Sequence, residues 1–189
     1  MARPLSATDD EILDAACAVV ARRGSDGFTL SEVARDVGLS RAALILRFHS
    51  ADDLKRSSLQ RLADRFDDRI NAVAFEPGAR GLLALADAIG GMIGGRENLT
   101  TFMFELNANM RDPELAMIEE QRGDTLRRAI ARILPPLPVS AADAANAFMA
   151  NLTGSIMQWQ TTGDGDAARF LRERTVIWLT LVGIPVDEA

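Results

Sequence analysis

Two helix-capping signals and one turn glycine lie close together in the first third of the sequence. "TLSE" at residues 29–32 is a capping box, in which Thr29 caps a short helix and Glu32 reaches back to the cap. Gly38 favours the left-handed backbone conformation that ends such a helix, and Ser40 caps the next one. Helix, tight turn and helix in this order predict a helix-turn-helix.

The second of these helices, over residues 40–48, has two dissimilar faces. Leu44 and Phe48 are spaced to anchor it against the preceding helices, where Ala34 is small enough to allow close approach. The outward face carries Arg41, Ala42, Ile45 and Leu46. Small side chains at the start of this face would let the helix dock closely into the major groove of DNA. The alternative is a corner of two helices that packs against the rest of the protein.

Apolar residues at helical spacing, separated by chain breakers, predict an all-α protein of about nine helices. No segment has the alternation that is typical of a strand. A stripe from Ile12 to Arg23 forms the first helix, and Ser50 with Asp53 caps a longer helix that we expect to end at about Ala74. Further helices are expected at about 81–94, 98–111, 113–134, 140–162 and 166–182.

The residue types restrict the chemistry that is open to this chain of 189 residues. Cys17 is its only cysteine and His49 its only histidine, so an internal disulfide is excluded and no convincing metal site or Cys–His pair can be assembled. We expect no cofactor, no metal, no catalytic residue and no enzymatic activity, and we expect His49 to be a surface imidazole. The absence of a signal segment and of an apolar run of membrane-spanning length favours a cytoplasmic protein without a membrane partner.

The charge pattern does not exclude nucleic acid, although the net charge of −6 argues mildly against it. Residues 41–56 contain Arg41, Arg47, Lys55 and Arg56 but only two acidic residues. Because salt screens charges over about 10 Å, an acidic protein with one locally basic face can still bind DNA.

The segment from Ile12 to Leu54 resembles the N-terminal domain of TetR/AcrR-type transcriptional regulators. The residues that carry the resemblance are Ala15, Ala16, Gly24, Thr29, Val33, Ala34, Gly38, Leu39, Ser40, Leu44, Phe48, Ser50 and Leu54. The rest of the chain agrees with this family only in helix content and length. With a break at "EPGARG", residues 76–81, the resemblance implies three segments. They are a helix-turn-helix DNA-binding domain at 1–50, a connecting helix at 51–78, and an effector-binding and dimerisation domain at 79–189.

The resemblance also implies roles for individual residues of the first segment. Thr29 would contact a backbone phosphate, and Arg41 would read a guanine. The full set expected at DNA is Thr29, Ser40, Arg41, Ala42, Ala43, Ile45, Leu46, Arg47, Ser50 and Lys55. Two positions depart from the family pattern, because Ile45 replaces a tyrosine and Ala51 a lysine. Both departures remove side chains that hold phosphates, although Ile45 could contact a thymine methyl group.

An effector cavity between the central helices is a further implication of the resemblance. Methionine and aromatic side chains suit an adaptable apolar pocket, and buried amides would orient an apolar small molecule in it. The expected lining residues are Met92, Phe102, Met103, Leu106, Asn107, Met110, Met117, Phe148, Asn151, Leu152 and Trp159. The alternative for each of them is plain core. "GGMIGG" at 90–95 predicts either a helix whose small residues allow close packing or a flexible lid.

The last two predicted helices have the composition of a dimer interface. Small residues recur on successive turns of one helix, and a wide apolar surface covers the other. The residues expected at the interface are Ala147, Ala150, Gly154, Phe170, Ile177, Trp178 and Leu181. The alternative is packing within one chain, but a homodimer suits DNA binding because two recognition helices then reach two half-sites.

The function that these patterns favour is a DNA-binding transcriptional regulator. We expect a repressor that binds a pseudo-palindromic operator as a homodimer and is released by a small apolar effector. Two alternatives remain open: a family member that activates transcription, and a helical enzyme or protein-interaction module with a vestigial helix-turn-helix.

Overall fold

The structure is a computed structural model that describes residues 7–24, 26–72, 76–162 and 164–186, without the side chains at 101, 102, 104, 105 and 108. Within these ranges the chain forms nine α-helices and no strand, which confirms the predicted all-α class. The helices are α1 (Asp9–Arg23), α2 (Leu30–Asp36), α3 (Arg41–Phe48), α4 (Ala51–Ala72), α5 (Ala79–Ile93), α6 (Arg96–Asn109), α7 (Pro113–Ile133), α8 (Ala141–Thr162) and α9 (Ala167–Leu181).

The chain divides into two compact units. The first unit comprises Met1–Phe66 and Thr101–Gln121, and the second comprises Asp67–Thr100 and Arg122–Ala189. The division falls inside α4, α6 and α7, so each of these helices contributes residues to both units.

The core of the first unit joins α1, α2, α3 and the start of α4. Leu44 of α3 is fully buried against Val33 and Ala34 of α2 and against the apolar stripe of α1. Phe48 and Leu39 pack around the edge of the same cluster. This arrangement confirms the predicted anchoring of the second short helix.

A smaller apolar cluster of the first unit joins α1, α4 and the start of α7. Its buried members are Val20, Leu59, Ala63, Leu115 and Ile118. An ion pair between Arg56 of α4 and Glu114 in the first turn of α7 lies on these same two helices. The first two turns of α7 therefore pack with the helices that support α3.

The second unit is built on the contact between α5 and α9. Gly90 lies so close to α9 that a Cβ atom added to it would be 2.2 Å from the Cα of Ala168. An ion pair of 2.6 Å between Arg172 and Asp87 joins the same two helices. The close packing predicted for "GGMIGG" is thus confirmed at Gly90.

Helix α8 packs on α9 through aromatic side chains. The rings of Phe148 and Trp178 meet edge to face, with centroids 5.0 Å apart and planes 72° apart. Trp159 is buried, and its indole Nε1 donates to the carbonyl of Gly165 at 3.3 Å. These contacts fix α8 and α9 as an antiparallel pair joined by a short turn.

We expect alanine at Gly90 and at its neighbour Gly91 to change stability in opposite directions. In Gly90→Ala the new Cβ meets the backbone of Ala168, which should lower the free energy of unfolding by roughly 1–3 kcal/mol. In Gly91→Ala the Cβ meets no atom within 4 Å, so better helix propensity should raise it by about 0.5–1 kcal/mol. Denaturant unfolding at one protein concentration measures both changes. A Gly90→Ala variant as stable as wild type, or more stable, would contradict the packing described for α5 and α9.

Candidate functional site

The candidate site is the helix-turn-helix formed by α2 and α3. The Thr29 hydroxyl accepts from the backbone N–H of Glu32 at 3.4 Å, and the Ser40 hydroxyl accepts from that of Ala43 at 3.1 Å. Between the helices Gly38 has φ = 67°, which lets the N–H of Leu39 donate to the carbonyl of Ala34 at 2.9 Å. The predicted caps at Thr29 and Ser40 and the predicted left-handed turn at Gly38 are confirmed. The returning half of the capping box is not, because the Glu32 carboxylate accepts from the Thr29 hydroxyl at 3.5 Å and from Arg23 at 3.1 Å rather than from the backbone N–H of Thr29.

The two faces of α3 differ in burial as the sequence predicts. Leu44 is fully buried, whereas Arg41, Ala42, Ile45 and Leu46 are exposed. Leu46 is 83% exposed and Ile45 39% exposed, so two adjacent aliphatic side chains lie open to solvent. The outward face therefore consists of one cation and three apolar side chains.

The two arginines of α3 have different surroundings. Arg41 is exposed and has no ion-pair or hydrogen-bond partner within the described part of the chain. Arg47 turns back toward α1, where its guanidinium donates to the carbonyl of Ala7 and pairs with Asp9 at 3.5 Å. Arg41 is thus open to a ligand, while Arg47 already holds the end of α3 against α1.

The remaining residues expected at DNA lie at helix ends around α3. Ala43 is half-buried and Thr29 is exposed at the start of α2. Ser50 caps α4, because its hydroxyl accepts from the N–H of Asp53 at 3.0 Å and donates to the Asp53 carboxylate at 2.5 Å. Lys55 is 3.7 Å from Asp52, one turn into α4.

Two carboxylates next to this site have lowered pKa values. The hydrogen bond from the Ser50 hydroxyl lowers the pKa of Asp53 below its ordinary value, and Arg56 adds to the effect. On α2, the Arg22 guanidinium lowers the pKa of Asp36 through a contact of 2.7 Å. Both groups remain charged at neutral pH and keep their cations in place.

An ionic clamp between α1 and α4 lies behind the helix-turn-helix. Arg61 contacts both Asp14 and Asp10 at 2.8 Å, and Arg65 pairs with Asp14. The Arg61 hydrogen bond is the largest influence that lowers the pKa of Asp14, and the same contact raises the pKa of Arg61. Sequence analysis did not identify this clamp. Two pairs of like-charged residues at i,i+4 spacing could have indicated it: Asp10 and Asp14 on α1, and Arg61 and Arg65 on α4.

His49 ends α3 with an uncommon backbone conformation. Its φ is 67°, and its N–H donates to the carbonyl of Ile45 at 2.8 Å. The residue is exposed, as predicted for a surface imidazole. With ψ at −46° the residue forms a γ-turn, in which the N–H of Ser50 donates to the carbonyl of Phe48 at 2.8 Å, and such a strained conformation costs of order 1–3 kcal/mol.

The residues expected to line an effector cavity fall in both units. Those in the first unit are Met103, Leu106, Asn107, Met110 and Met117. Met103 and Leu106 are half-buried, whereas Met110 and Met117 are exposed by 58% and 70%. Asn107 is also exposed, and its amide donates to the carbonyl of Met103 at 2.8 Å. The side chain of Phe102 lies outside the described residues.

The expected effector residues of the second unit are Met92, Phe148, Asn151, Leu152 and Trp159. Phe148, Leu152 and Trp159 are core residues, and Met92 is half-buried. Asn151 differs from them, because its side-chain Nδ2 is buried yet finds no acceptor among the described residues. On α9, Nε of Arg174 and the hydroxyl of Thr175 are likewise buried without a hydrogen-bond partner among the described residues.

The first unit also contains a groove that sequence analysis missed. It has a volume of about 630 Å³ and lies along α4, with Leu13 of α1 and Ile118 of α7 at its apolar part. Met117 is the one predicted effector residue at this groove, and Gln60, Arg61 and Glu114 also line it. No local sequence pattern indicates this groove, because it is lined by α1, α4 and α7, which are far apart in the chain.

The residues expected at a dimer interface are largely exposed in the single chain. Ala147, Ala150 and Gly154 form an open strip of small residues on α8. On α9, Ile177 is 49% exposed and Leu181 is 79% exposed. Phe170 and Trp178 are half-buried: Arg174 lies 4.8 Å over the Phe170 ring, and Trp178 contacts Phe148.

The described residues contain neither a side-chain cluster suited to a metal ion nor a helix suited to a membrane. Among residues 7–24, 26–72, 76–162 and 164–186, no group of three or more His, Cys, Asp or Glu side chains could hold a metal ion. Over the same part of the chain, no helix has the length and apolar character needed to cross a membrane.

Comparison with known proteins agrees with this geometry. A family model described as "Bacterial regulatory proteins, tetR family" matches residues 12–56. No curated protein matches the sequence. The resemblance predicted for Ile12 to Leu54 is therefore confirmed by the family match.

Solved structures show that the likeness in fold extends over nearly the whole chain. FadR from Bacillus subtilis in complex with stearoyl-CoA is 17% identical, with 94% of this chain and 100% of that chain covered and a TM-score of 0.69. A transcriptional regulator from Rhodococcus sp. Rha1 is 20% identical, with 95% and 100% covered and a TM-score of 0.73. A TetR transcription regulator from Haloarcula marismortui ATCC 43049 is 17% identical, with 92% and 96% covered and a TM-score of 0.73. The chain has the fold of TetR-family regulators.

Proposed function

We propose that this protein is a ligand-responsive transcriptional repressor that binds a pseudo-palindromic DNA operator as a homodimer. The observation that carries the proposal is the exposed outward face of α3, whose first residue, Arg41, has no partner among the described residues. The match of residues 12–56 to the tetR family model supports it. Residues 1–50 are the DNA-binding domain, 51–78 the connecting helix, and 79–189 the effector-binding and dimerisation domain of a cytoplasmic protein.

The proposed DNA contacts divide into base reading and phosphate binding. Arg41 donates to guanine O6 and N7 in the major groove, with Ala42 and Ala43 against neighbouring bases. Thr29 at the start of α2, Ser50 and Lys55 position the domain on phosphates. Ser40, Ile45 and Leu46 complete the surface. Arg47 is paired with Asp9 in the free protein, so it releases Asp9 when it binds a phosphate.

The proposed dimer forms through α8 and α9. The strip of Ala147, Ala150 and Gly154 allows the backbones of two α8 helices to approach closely, and Gly154 has open space around its Cα. Ile177 and Leu181 expose aliphatic surface that a partner copy would cover. Two recognition helices are then held at the distance that two half-sites require.

The proposed effector binds in the domain at 79–189 and favours the dimer geometry that does not fit the operator. Asn151 supports this part of the proposal, because a buried amide donor without an acceptor is costly and a ligand oxygen would satisfy it. FadR, a protein of the same fold, holds stearoyl-CoA, an apolar chain with a polar end. The ligand shifts the equilibrium by the difference between its affinities for the two dimer geometries.

The proposed DNA contacts predict that Arg41→Ala and Lys55→Ala change DNA affinity in different ways. Against a duplex enriched from a random library, Arg41→Ala should cost about 1–3 kcal/mol and relax the preference at one base position. Lys55→Ala should weaken all duplexes alike and make the slope of log affinity against log salt shallower by roughly one per subunit. Titrations at several salt concentrations measure both effects. Arg169→Ala is the control, because Arg169 is an exposed arginine on α9. If Arg41→Ala binds like wild type, α3 does not read DNA.

The dimer interface predicts that one charge on α9 separates the subunits. Leu181→Asp should sediment as a folded monomer, because Leu181 is 79% exposed and its loss leaves the core intact. Trp178→Asp is the less informative variant, since Trp178 also packs on Phe148 within the chain. Val139→Asp introduces the same charge at a site that is 56% exposed and outside α8 and α9, and it should remain a dimer. A dimeric Leu181→Asp would move the interface elsewhere.

The proposed effector site predicts that Asn151→Leu weakens ligand binding without lowering the stability of the free protein. Removing the unsatisfied amide should leave the melting temperature of the free protein unchanged or raised. A panel of acyl-CoA thioesters and fatty acids is screened for compounds that raise the melting temperature of wild type and weaken operator binding. For such a compound the rise should be much smaller in Asn151→Leu than in the control Asn146→Leu, which alters an exposed asparagine of α8. An equal rise in both variants would contradict the contact with Asn151.

A further inference from the structure

The outward face of α3 is poor in hydrogen-bonding groups. Arg41 and Ile45 are one helical turn apart and form one column of this face, and Ala42 and Leu46 form the column beside it. Of these four side chains only Arg41 can donate a hydrogen bond. Leu46 exposes 83% of its surface, the largest value among the exposed large apolar residues of the described chain.

Only one chemical group in the major groove matches an aliphatic side chain. The edges of guanine, cytosine and adenine present donors and acceptors there, whereas thymine also presents its C5 methyl group. A polar base edge placed against Leu46 would lose water without gaining a partner. A methyl group placed there removes apolar surface of both molecules from water, which is favourable.

We infer that Ile45 and Leu46 read thymine methyl groups in the operator, next to the guanine that Arg41 reads. The inference rests on the proposed function, and it names operator bases that the proposed function does not specify. A tyrosine or polar residue at these positions would contact phosphates or base edges by hydrogen bonds, and this chain has no tyrosine at all. Specificity at these base pairs comes from burial of methyl groups instead.

The spacing of the side chains fixes where the thymines lie. Leu46 is five residues beyond Arg41 on α3, which is roughly 7.5 Å along the helix at about 1.5 Å per residue. Base pairs in B-DNA are about 3.4 Å apart along each strand, so this distance corresponds to about two base-pair steps. The read thymines therefore lie one to three base pairs from the guanine in each half-site.

A protein partner is a weaker explanation of the exposed apolar face. Arg41, which is not paired with any residue that the structure describes, lies on the same face within one turn of Ile45. A protein partner that buried the face would have to supply a carboxylate to it. DNA supplies both features at once, since it offers guanine acceptors for the guanidinium and methyl groups for the aliphatic side chains.

The experiment replaces thymine with uracil in a duplex that the full-length protein enriches from a random library. Uracil keeps base pairing and the O4 acceptor and removes only the methyl group. Each thymine near the Arg41-dependent guanine is replaced in turn, in both half-sites. We expect the affinity to fall about threefold to fivefold for each methyl group that a side chain buries, which is the value of one buried carbon.

A double-mutant cycle separates a direct contact from a change in duplex shape. In Leu46→Ala the exposed side chain is shortened without loss of core packing, and binding to the thymine duplex should weaken by a similar factor. The variant should then no longer distinguish thymine from uracil, whereas Val139→Ala, at an exposed apolar residue between α7 and α8, should distinguish them as wild type does. Loss of discrimination in Leu46→Ala or Ile45→Ala supports the inference.

The remaining outcomes overturn the inference in distinguishable ways. If wild type binds the thymine and uracil duplexes equally while Arg41→Ala still loses affinity, the apolar face contacts sugars and the proposed function stands. If both Leu46→Ala and Ile45→Ala still distinguish thymine from uracil, the methyl group acts through the shape of the duplex and not through a contact with these side chains. If no duplex is enriched by the wild-type protein, both the inference and the proposed function fail.

Discussion

The burial of Leu44 is the interaction on which the candidate DNA-binding surface depends. It is the one buried side chain of α3, and it is fully enclosed by α1 and α2. A helix of eight residues has little stability of its own, so its orientation comes from such an anchor rather than from its backbone hydrogen bonds. Because Leu44 faces inward, the residues on the opposite side must face solvent. Ala42 and Leu46, two residues to either side of Leu44, owe their exposure to this one contact.

The anchor is reinforced at both ends of α3 by contacts of different kinds. At the start, the Ser40 cap and the turn at Gly38 set the angle at which α3 leaves α2. At the end, Arg47 is tied to the carbonyl of Ala7 and to Asp9, both at the start of α1. Exposed ion pairs contribute little to stability. Their value here is in orientation, because they restrict rotation of α3 about the Leu44 contact.

Local patterns made the helix-turn-helix predictable, whereas contacts between distant helices were not. Caps such as Thr29 and Ser40 and the stripe that contains Leu44 involve residues three or four apart, so the sequence records them directly. The pairing of Arg61 with Asp14 joins residues that are 47 positions apart, and any acidic residue on an exposed face would have been an equal candidate. The same limit applies to the effector residues, because helical spacing places Asn151 on α8 but does not say what lies opposite its amide.

The ion pairs of the first unit also reconcile its acidity with the anionic partner proposed for it. The chain has a net charge of −6, and α1 begins with Asp9, Asp10 and Glu11. Of these carboxylates Asp9 is paired with Arg47 and Asp10 with Arg61, so their fields are compensated close to their source. Salt screens what remains over about 10 Å. On the outward face of α3, Arg41 is the cation without an ion-pair partner among the described residues. A phosphate backbone that approaches this face therefore meets a cation, although the net charge of the protein is negative.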